Sequence, residues 1–312
     1  MTGTLSMSVE LELGWGSVQK PPHRQFEQFA DRERKRETAA LHELLTTCET
    51  AGTPISFNVV GHLFQQRCHH KNPPHEEGWF DIDPGSDASS DPLFYAPDLV
   101  ETIAESSVDH EICTHTFSHV PVDEVEEEVL RWELQACFKK HESAGLPRPT
   151  TLVTPYNRPA PAGPLLDFGI TAVREPVQQN LNMSRPRKLL WYLTRDPPTR
   201  EPTLVDGLTR VYTSVGISLA SFSLRQGARP PHPAFRVVPE RVRRYAHRRY
   251  LDRALALVRA GEHVHLWCHV YDLANEVQLD YVTDFLRLAG RCASEHEIEI
   301  RTIRQIDDEL RN

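Results

Sequence analysis

Glu10 and Glu12 stand two residues apart in the stretch SVELELGWG, and a period of two turns both carboxylates to one face of a strand. Two acids sharing a face repel unless a cation lies between them; the plain alternative is a solvated strand face. His115 and His119 form a His-x-x-x-His pair in CTHTFSH, directly after an expected strand, and one helical turn would bring such a pair together. In a chain with 16 histidines the same spacing also arises without function. Joined to Glu12, the two imidazoles give two nitrogens and one carboxylate, a set that holds a divalent ion and leaves positions for water and a substrate oxygen. Such an ion brings the pKa of bound water to about 7 and polarises a carbonyl, as amide hydrolysis requires. Glu10 then stands where a base is needed. His269 follows HVHLWC at a strand's C-terminal end, where barrel enzymes collect catalytic groups, and is placed to protonate a leaving amine. A hydrogen-bonded loop histidine is the plain alternative for it. His263 and His265 alternate with it on the same strand and stay candidates for the same pocket.

These residues need a scaffold that gathers strand ends. Alternation predicts a first strand over residues 4–13, broken by Gly14, Trp15 and Gly16. Helical spacing of Phe26, Phe29, Ala40, Leu41, Leu44 and Leu45 predicts a helix over 26–51, stopped by Gly52. A strand over 55–60 precedes a Pro, Gly, Ser and Asp-rich insertion at about 65–91. A strand over 108–114, a helix from Pro121 to Gly145 and strands over 150–153, 170–173 and 208–212 follow. A helix over 239–260, a strand over 263–268 and a final helix, strand and helix after Gln278 continue the alternation. Alternating β and α segments imply mainly parallel strands, and without a Gly-x-Gly-x-x-Gly loop an incomplete (β/α) barrel ringed by helices is expected over a dinucleotide-binding sheet. No repeat or linker divides the chain, so residues 1–312 are expected to form a single domain.

Of the 312 residues 39% are apolar and 25% charged, an ordinary balance for a globular chain. The 44 acidic residues outnumber the 35 basic ones, and a formal net charge of −9 repels nucleic acid and anionic lipid. No run of about 20 apolar residues is present for a membrane span, and residues 1–12 lack the basic and apolar regions of a signal peptide. Cys48, Cys68, Cys113, Cys137, Cys268 and Cys292 form no Cys-x-x-Cys pair, so reduced thiols in a cytoplasmic protein are expected. The cluster CHHKNPPH (Cys68, His69, His70, His75) matches no structural zinc spacing and is expected as a loop over the active site. The basic stretch over 236–253 is read as a solvated helix packed on the barrel rather than a contact for a sugar-nucleotide diphosphate or lipid carrier. Homo-oligomerisation is left open.

SVELELGWG is similar to the first motif of the polysaccharide deacetylase (NodB-homology) family, THTFSH matches its second, and HLWCHVYDL resembles its last. These motifs keep the family's order from residue 8 to residue 273, so the resemblance spans nearly the whole chain. It implies a distorted barrel of parallel strands and helices and a divalent transition metal, most commonly zinc. It also implies hydrolysis of the N-acetyl group of a saccharide or glycan precursor through a metal-bound water. Carried over residue by residue, Glu12, His115 and His119 are the ligands, Glu10 is the general base and His269 the general acid. Two positions depart from the pattern. Glu10 replaces an aspartate, and the extra methylene shifts the carboxylate by more than an ångström unless the backbone adjusts. TPYNRP, residues 154–159, replaces a motif whose arginine orients the base, and Arg158 is the expected substitute. The backbone N–H that holds the oxyanion in the family falls at Tyr156, although Pro155 and Pro159 alone would brace a plain turn. Trp15, Asn157 and Trp267 are the expected substrate contacts, with core packing the plainer reading of the tryptophans. Two other readings stay open: a related hydrolase of a cyclic amide or amidine, and a saccharide-binding protein that has lost turnover.

Overall fold

The computed structural model describes residues 2–68, 73–159, 161–177, 183–214 and 223–312. After β1 (Gly3–Leu11) come α1 (Lys35–Ala51), β2 (Ser56–Val59), α2 (Pro97–Ala104), β3 (Glu111–Thr114), α3 (Glu127–Ser143) and β4 (Thr151–Val153). Next are α4 (Ala162–Asp167), β5 (Ala172–Val177), α5 (Arg185–Thr194), the hairpin of β6 (Thr203–Val205) and β7 (Leu208–Ser214), α6 (Pro233–Arg236) and α7 (Glu240–Arg259). Then follow β8 (His263–His269), α8 (Val270–Leu273), α9 (Glu276–Ser294), β9 (Ile298–Ile300) and α10 (Ile303–Arg311).

Strand β1 buries Leu5, Met7, Val9 and Leu11 on one face and Ser6, Ser8 and Glu10 on the other. A strand covered on both faces belongs inside a parallel sheet, and the strand order is β6-β7-β5-β4-β3-β2-β1-β8. Along one edge of β1, β2 pairs residues 8–11 and β9 pairs residues 3–5. Every ladder is parallel except that of the β6–β7 hairpin. The sheet curves until β7 approaches β8, where Thr213 Oγ1 donates to the His265 carbonyl at 3.2 Å. A side chain spans this seam and among the described residues no ladder closes it, so the fold is the incomplete (β/α) barrel that the alternation predicts. The apolar faces of α1, α7 and α9 cover β1 and β8 in the main core.

Helix α1 begins nine residues later than its spacing predicts. Phe26 (φ 68) and Arg34 (φ 49) take left-handed backbone that a helix cannot continue through. Arg34 is buried and donates to Asp98 at 2.7 and 2.8 Å, which fixes the chain before the helix starts. Within the insertion the described residues hold one 3-10 turn, Trp79–Ile82. Its two arms are tied by an Arg67–Asp87 bridge, Cys68 N to Ser86 O at 3.0 Å and Ala88 N to Gln66 O at 2.9 Å. His69 and His70 lie outside the described residues. The basic helix α7 buries His247, Tyr250, Leu251, Ala254, Leu255 and Val258, and Arg249 and Arg253 pair with Asp196. No helix among the described residues is long and apolar enough to cross a membrane.

Candidate metal centre

Strands β1 and β8 pair with Ser6 opposite His265, Ser8 opposite Trp267 and Glu10 opposite His269, so the polar side chains of both strands share the barrel interior. Glu12 lies just past β1, where the chain enters the turn Leu13–Ser17. A Cβ at Gly16 would run into the Glu12 carboxylate, so glycine there is a steric requirement of this placement.

His115 follows β3, and residues 115–119 form a loop, not the helical turn that the i, i+4 spacing suggests. Thr116 (φ 58) and His119 (φ 63) turn the backbone instead, and the two rings come to 4.9 Å between centroids. The loop is held from behind by Glu133 of α3, which is fully buried and accepts from Phe117 N at 2.6 Å, Ser118 N at 2.8 Å and Ser118 Oγ at 2.6 Å. His75 of the insertion donates to the same carboxylate at 2.7 Å, and Trp79 Nε1 donates to Ser118 Oγ at 2.9 Å.

The donor atoms of Glu12, His115 and His119 all lie within 4.8 Å of one another. His115 Nδ1 donates to the Val153 carbonyl at 2.6 Å, which fixes the tautomer and leaves the Nε2 lone pair for the centre. Among the described residues that Nε2 and both nitrogens of His119 have no hydrogen-bond partner, although they are buried. His119 Nε2 comes within 2.8 Å of Glu12 Oε2 without forming a hydrogen bond, and His115 Nε2 within 3.7 Å. Buried polar atoms are rarely left so; lone pairs crowded around a carboxylate are what ligands of one cation present. Burial lowers the His119 pKa despite the opposing pull of Glu12, which keeps the ring in the neutral form that binds metal. The residues therefore fit a divalent transition ion.

Beside this set, Glu10 Oε1 accepts from the buried Arg174, which reaches inward from β5. Burial alone would raise the Glu10 pKa; Arg174 and then His269 outweigh it and hold the carboxyl at about 2. His269 Nε2 lies 3.0 Å from Glu10 Oε2 and 3.6 Å from Glu12 Oε1, while Nδ1 meets Asp272 Oδ2 at 3.0 Å. Burial would lower the His269 pKa, but Glu12, Asp272 and Glu10 together hold it well above the usual imidazole range. Tyr271 stacks on the His269 ring at 4.4 Å and donates to Glu12 Oε1 at 2.7 Å, linking the two.

Residues 31–161, which contain His115 and His119, match the family model described as polysaccharide deacetylase. Over that stretch the chain is similar to the polysaccharide deacetylase family. The family's class, hydrolases of carbon–nitrogen bonds other than peptide bonds, is the enzyme class expected from the motifs. A structure from Mycobacterium smegmatis described as a polysaccharide deacetylase superposes with a TM-score of 0.61 at 15% identity, over 99% of this chain and 90% of that one. One from Pseudomonas aeruginosa PAO1, also described as a polysaccharide deacetylase, gives 0.57 at 12% identity over 98% and 89%. A PuuE allantoinase gives 0.57 at 13% identity over 98% and 89%. At these identities the likeness is one of fold. No curated protein sequence matches the chain.

The family motif misleads at one position. Arg158, expected to orient Glu10, points away and pairs with Glu124 and, at 3.8 Å, with Asp123. Arg174 stands beside Glu10 instead. Asn157, expected against substrate, accepts from Arg174 at 3.1 Å through Oδ1. Trp15 is fully buried against His62 at 4.4 Å and Phe94 at 5.9 Å, so it packs the core and offers no sugar platform. Trp267 is buried too, with Arg174 over its ring at 4.7 Å and His269 at 5.3 Å. Tyr156 alone of the expected contacts is exposed, its ring 4.6 Å from His119 and its backbone left-handed at φ 57.

Below Glu10 a directional chain of hydrogen bonds fills the barrel. The Arg200 carbonyl takes the His263 Nδ1 proton, and with both rings neutral this sets the direction of every bond: Ser8 Oγ accepts from Arg174 NH1 at 2.9 Å and gives its own proton to His265 Nε2 at 2.9 Å. His265 Nδ1 then donates to Ser6 Oγ at 2.8 Å, Ser6 to His263 Nε2 at 3.1 Å, and His263 Nδ1 to the Arg200 carbonyl at 3.2 Å. Burial keeps both rings neutral by depressing their pKa values, His263 to about 4. His263 and His265 thus support Arg174 from inside the barrel and lie away from the ligand set.

Proposed function

We propose that the protein is a metal-dependent deacetylase that removes the N-acetyl group of an amino sugar or glycan precursor. The observation that carries this reading is the set of buried, unpartnered imidazole nitrogens of His115 and His119 crowded on the Glu12 carboxylate. These three residues would hold the ion, with zinc the expected metal for two imidazoles and one carboxylate. An ion held there supplies Lewis acidity, polarising the amide carbonyl and acidifying water.

The protein's own groups divide the remaining proton transfers. Glu10, ionised and aimed by Arg174, takes a proton from the attacking water. His269, kept protonated by three carboxylates, gives one to the nitrogen as the C–N bond breaks, leaving acetate and a free amine. Environments that push two titratable groups apart in this way separate base from acid. Tyr156 at the rim is assigned to the substrate, with its backbone N–H facing the developing oxyanion. The whole chain is taken as one unit with residues 65–91 as its insertion, and six free cysteines, five of them buried, suit a reducing cytoplasm.

Elemental analysis of the wild type beside a His115→Ala, His119→Ala double variant tests the centre, and acetate release from N-acetylated sugars tests the reaction. The variant is expected to hold one transition-metal equivalent fewer than the wild type and to lose turnover with it. Metal binding without acetate release from any N-acetylated sugar, but with opening of cyclic amides, would reassign the substrate. Absence of metal after reconstitution would overturn the mechanism.

A further inference from the structure

His62, Cys68 and Asp83 form a second cluster, which the deacetylase reading does not use. His62 sits in the short turn Gly61–Phe64 after β2, and the side chains of His62 and Asp83 are 0% and 3% exposed. His62 Nδ1 faces the Phe94 carbonyl at 3.2 Å; a carbonyl only accepts, so Nδ1 carries the proton and Nε2 turns to Asp83 Oδ2 at 3.1 Å. Asp83 is aimed from its other oxygen, where Oδ1 accepts from Tyr95 OH and from Gly85 N at 3.0 Å. Cys68 Sγ lies 3.3 Å from the same Oδ2, and nitrogen, sulfur and oxygen are all within 4.8 Å of one another.

We propose that His62 Nε2, Cys68 Sγ and Asp83 Oδ2 bind a second divalent transition ion of zinc's class, with a fourth position for water. Metal–ligand lengths of about 2.0–2.1 Å to nitrogen and oxygen and about 2.3 Å to sulfur put tetrahedral edges at about 3.3 Å for N···O and about 3.5 Å for O···S. The observed 3.1 and 3.3 Å are within reach of both. A thiolate with an imidazole selects zinc-like ions over magnesium or calcium. An imidazole fixed by a carbonyl and a carboxylate fixed by outer donors are the arrangement that orients metal ligands. The ion would act as a structural clamp. Cys68 and Asp83 belong to the two arms of the insertion and His62 to the turn after β2, so one ion would pin the insertion to the barrel.

The competing occupant is a proton, giving a buried imidazolium–carboxylate pair with the thiol donating to the carboxylate. Zinc-reconstituted, gel-filtered protein distinguishes the two. Two equivalents are expected in the wild type, one in Cys68→Ser and one in the His115→Ala, His119→Ala variant. Cobalt-loaded wild type should show a thiolate-to-cobalt charge-transfer band, retained in the double histidine variant and lost in Cys68→Ser. One equivalent in the wild type, unaffected by Cys68→Ser, or no thiolate band in the wild type, overturns the second site whatever the variants' folding. One equivalent that survives the double histidine variant and disappears in Cys68→Ser would instead keep this site and remove the first.

Discussion

Arg174 meets Glu10 across the barrel interior, from strands that are not neighbours: β4, β3 and β2 lie between β5 and β1 in the sheet. The contact therefore depends on the curvature of the whole sheet and on no local turn. Arg174→Met leaves the buried carboxylate with His269 as its remaining counter-charge, a loss of up to about 3–5 kcal/mol where breaking such pairs has been measured. A misaimed base should lower kcat/KM on the order of 10²-fold. The Glu10 pKa is depressed in the folded state, from 4.5 to about 2, so its stabilisation is present above pH 4.5 and is lost as pH falls towards 2. Thermal melts between pH 7 and pH 3 should show that decline in the wild type and a smaller one in Arg174→Met.

Asp272→Asn removes one of the charges that hold His269 protonated. His269 is raised in the folded state, so its contribution is complete below the ordinary imidazole pKa and is lost as pH rises through the folded value. The basic limb of the kcat/KM profile should move to lower pH in the variant, with the acid limb in place. An unchanged basic limb would remove His269 from the acid's role.

Glu133→Gln keeps the shape of the α3 side chain but weakens four charge-assisted hydrogen bonds, three of them from residues 117 and 118. Metal affinity should fall about 10- to 100-fold, the usual loss when a ligand's support is removed, while far-ultraviolet circular dichroism stays unchanged. His75→Ala should lower affinity in the same direction by less. A competitive chelator titration measures both.

His263 and His265 should both be neutral Nδ1–H tautomers at pH 7, which nitrogen-15 NMR of the labelled rings reports directly. Ser8→Ala leaves Arg174 and His265 each one partner short. That should cost about 1–3 kcal/mol in chemical denaturation. An imidazolium signal from either ring would reverse the chain's direction.

The candidate site is legible in the sequence because Glu12, His115, His119 and His269 all lie at or just beyond strand C-termini, where the β/α alternation itself says the side chains converge. The polar face of β1 is legible too, since Ser6, Ser8 and Glu10 alternate with apolar residues. Arg174 is not, because the family motif directs attention to TPYNRP, whereas only the sheet's register shows that Arg174 points inward between Val173 and Glu175. Glu133 leaves a trace: a carboxylate on the apolar stripe of Leu130, Leu134 and Cys137, where a solvated charge has no place. The start of α1 misleads because Phe29 is buried without being helical. His62 and Asp83 carry no mutual spacing signal, as folding of the insertion alone brings them together.

His75 and Trp79 extend from the insertion to the buttress and the backbone loop that carry His115 and His119. Loops of this kind are where a family ordinarily varies to admit new substrates. Here that freedom is mortgaged: a different segment grafted over residues 65–91 would also remove two of the contacts that brace the loop of His115 and His119. The insertion and the loop of residues 115–119 are therefore coupled, and a redesign of either must carry His75, Trp79 and Glu133 along with it.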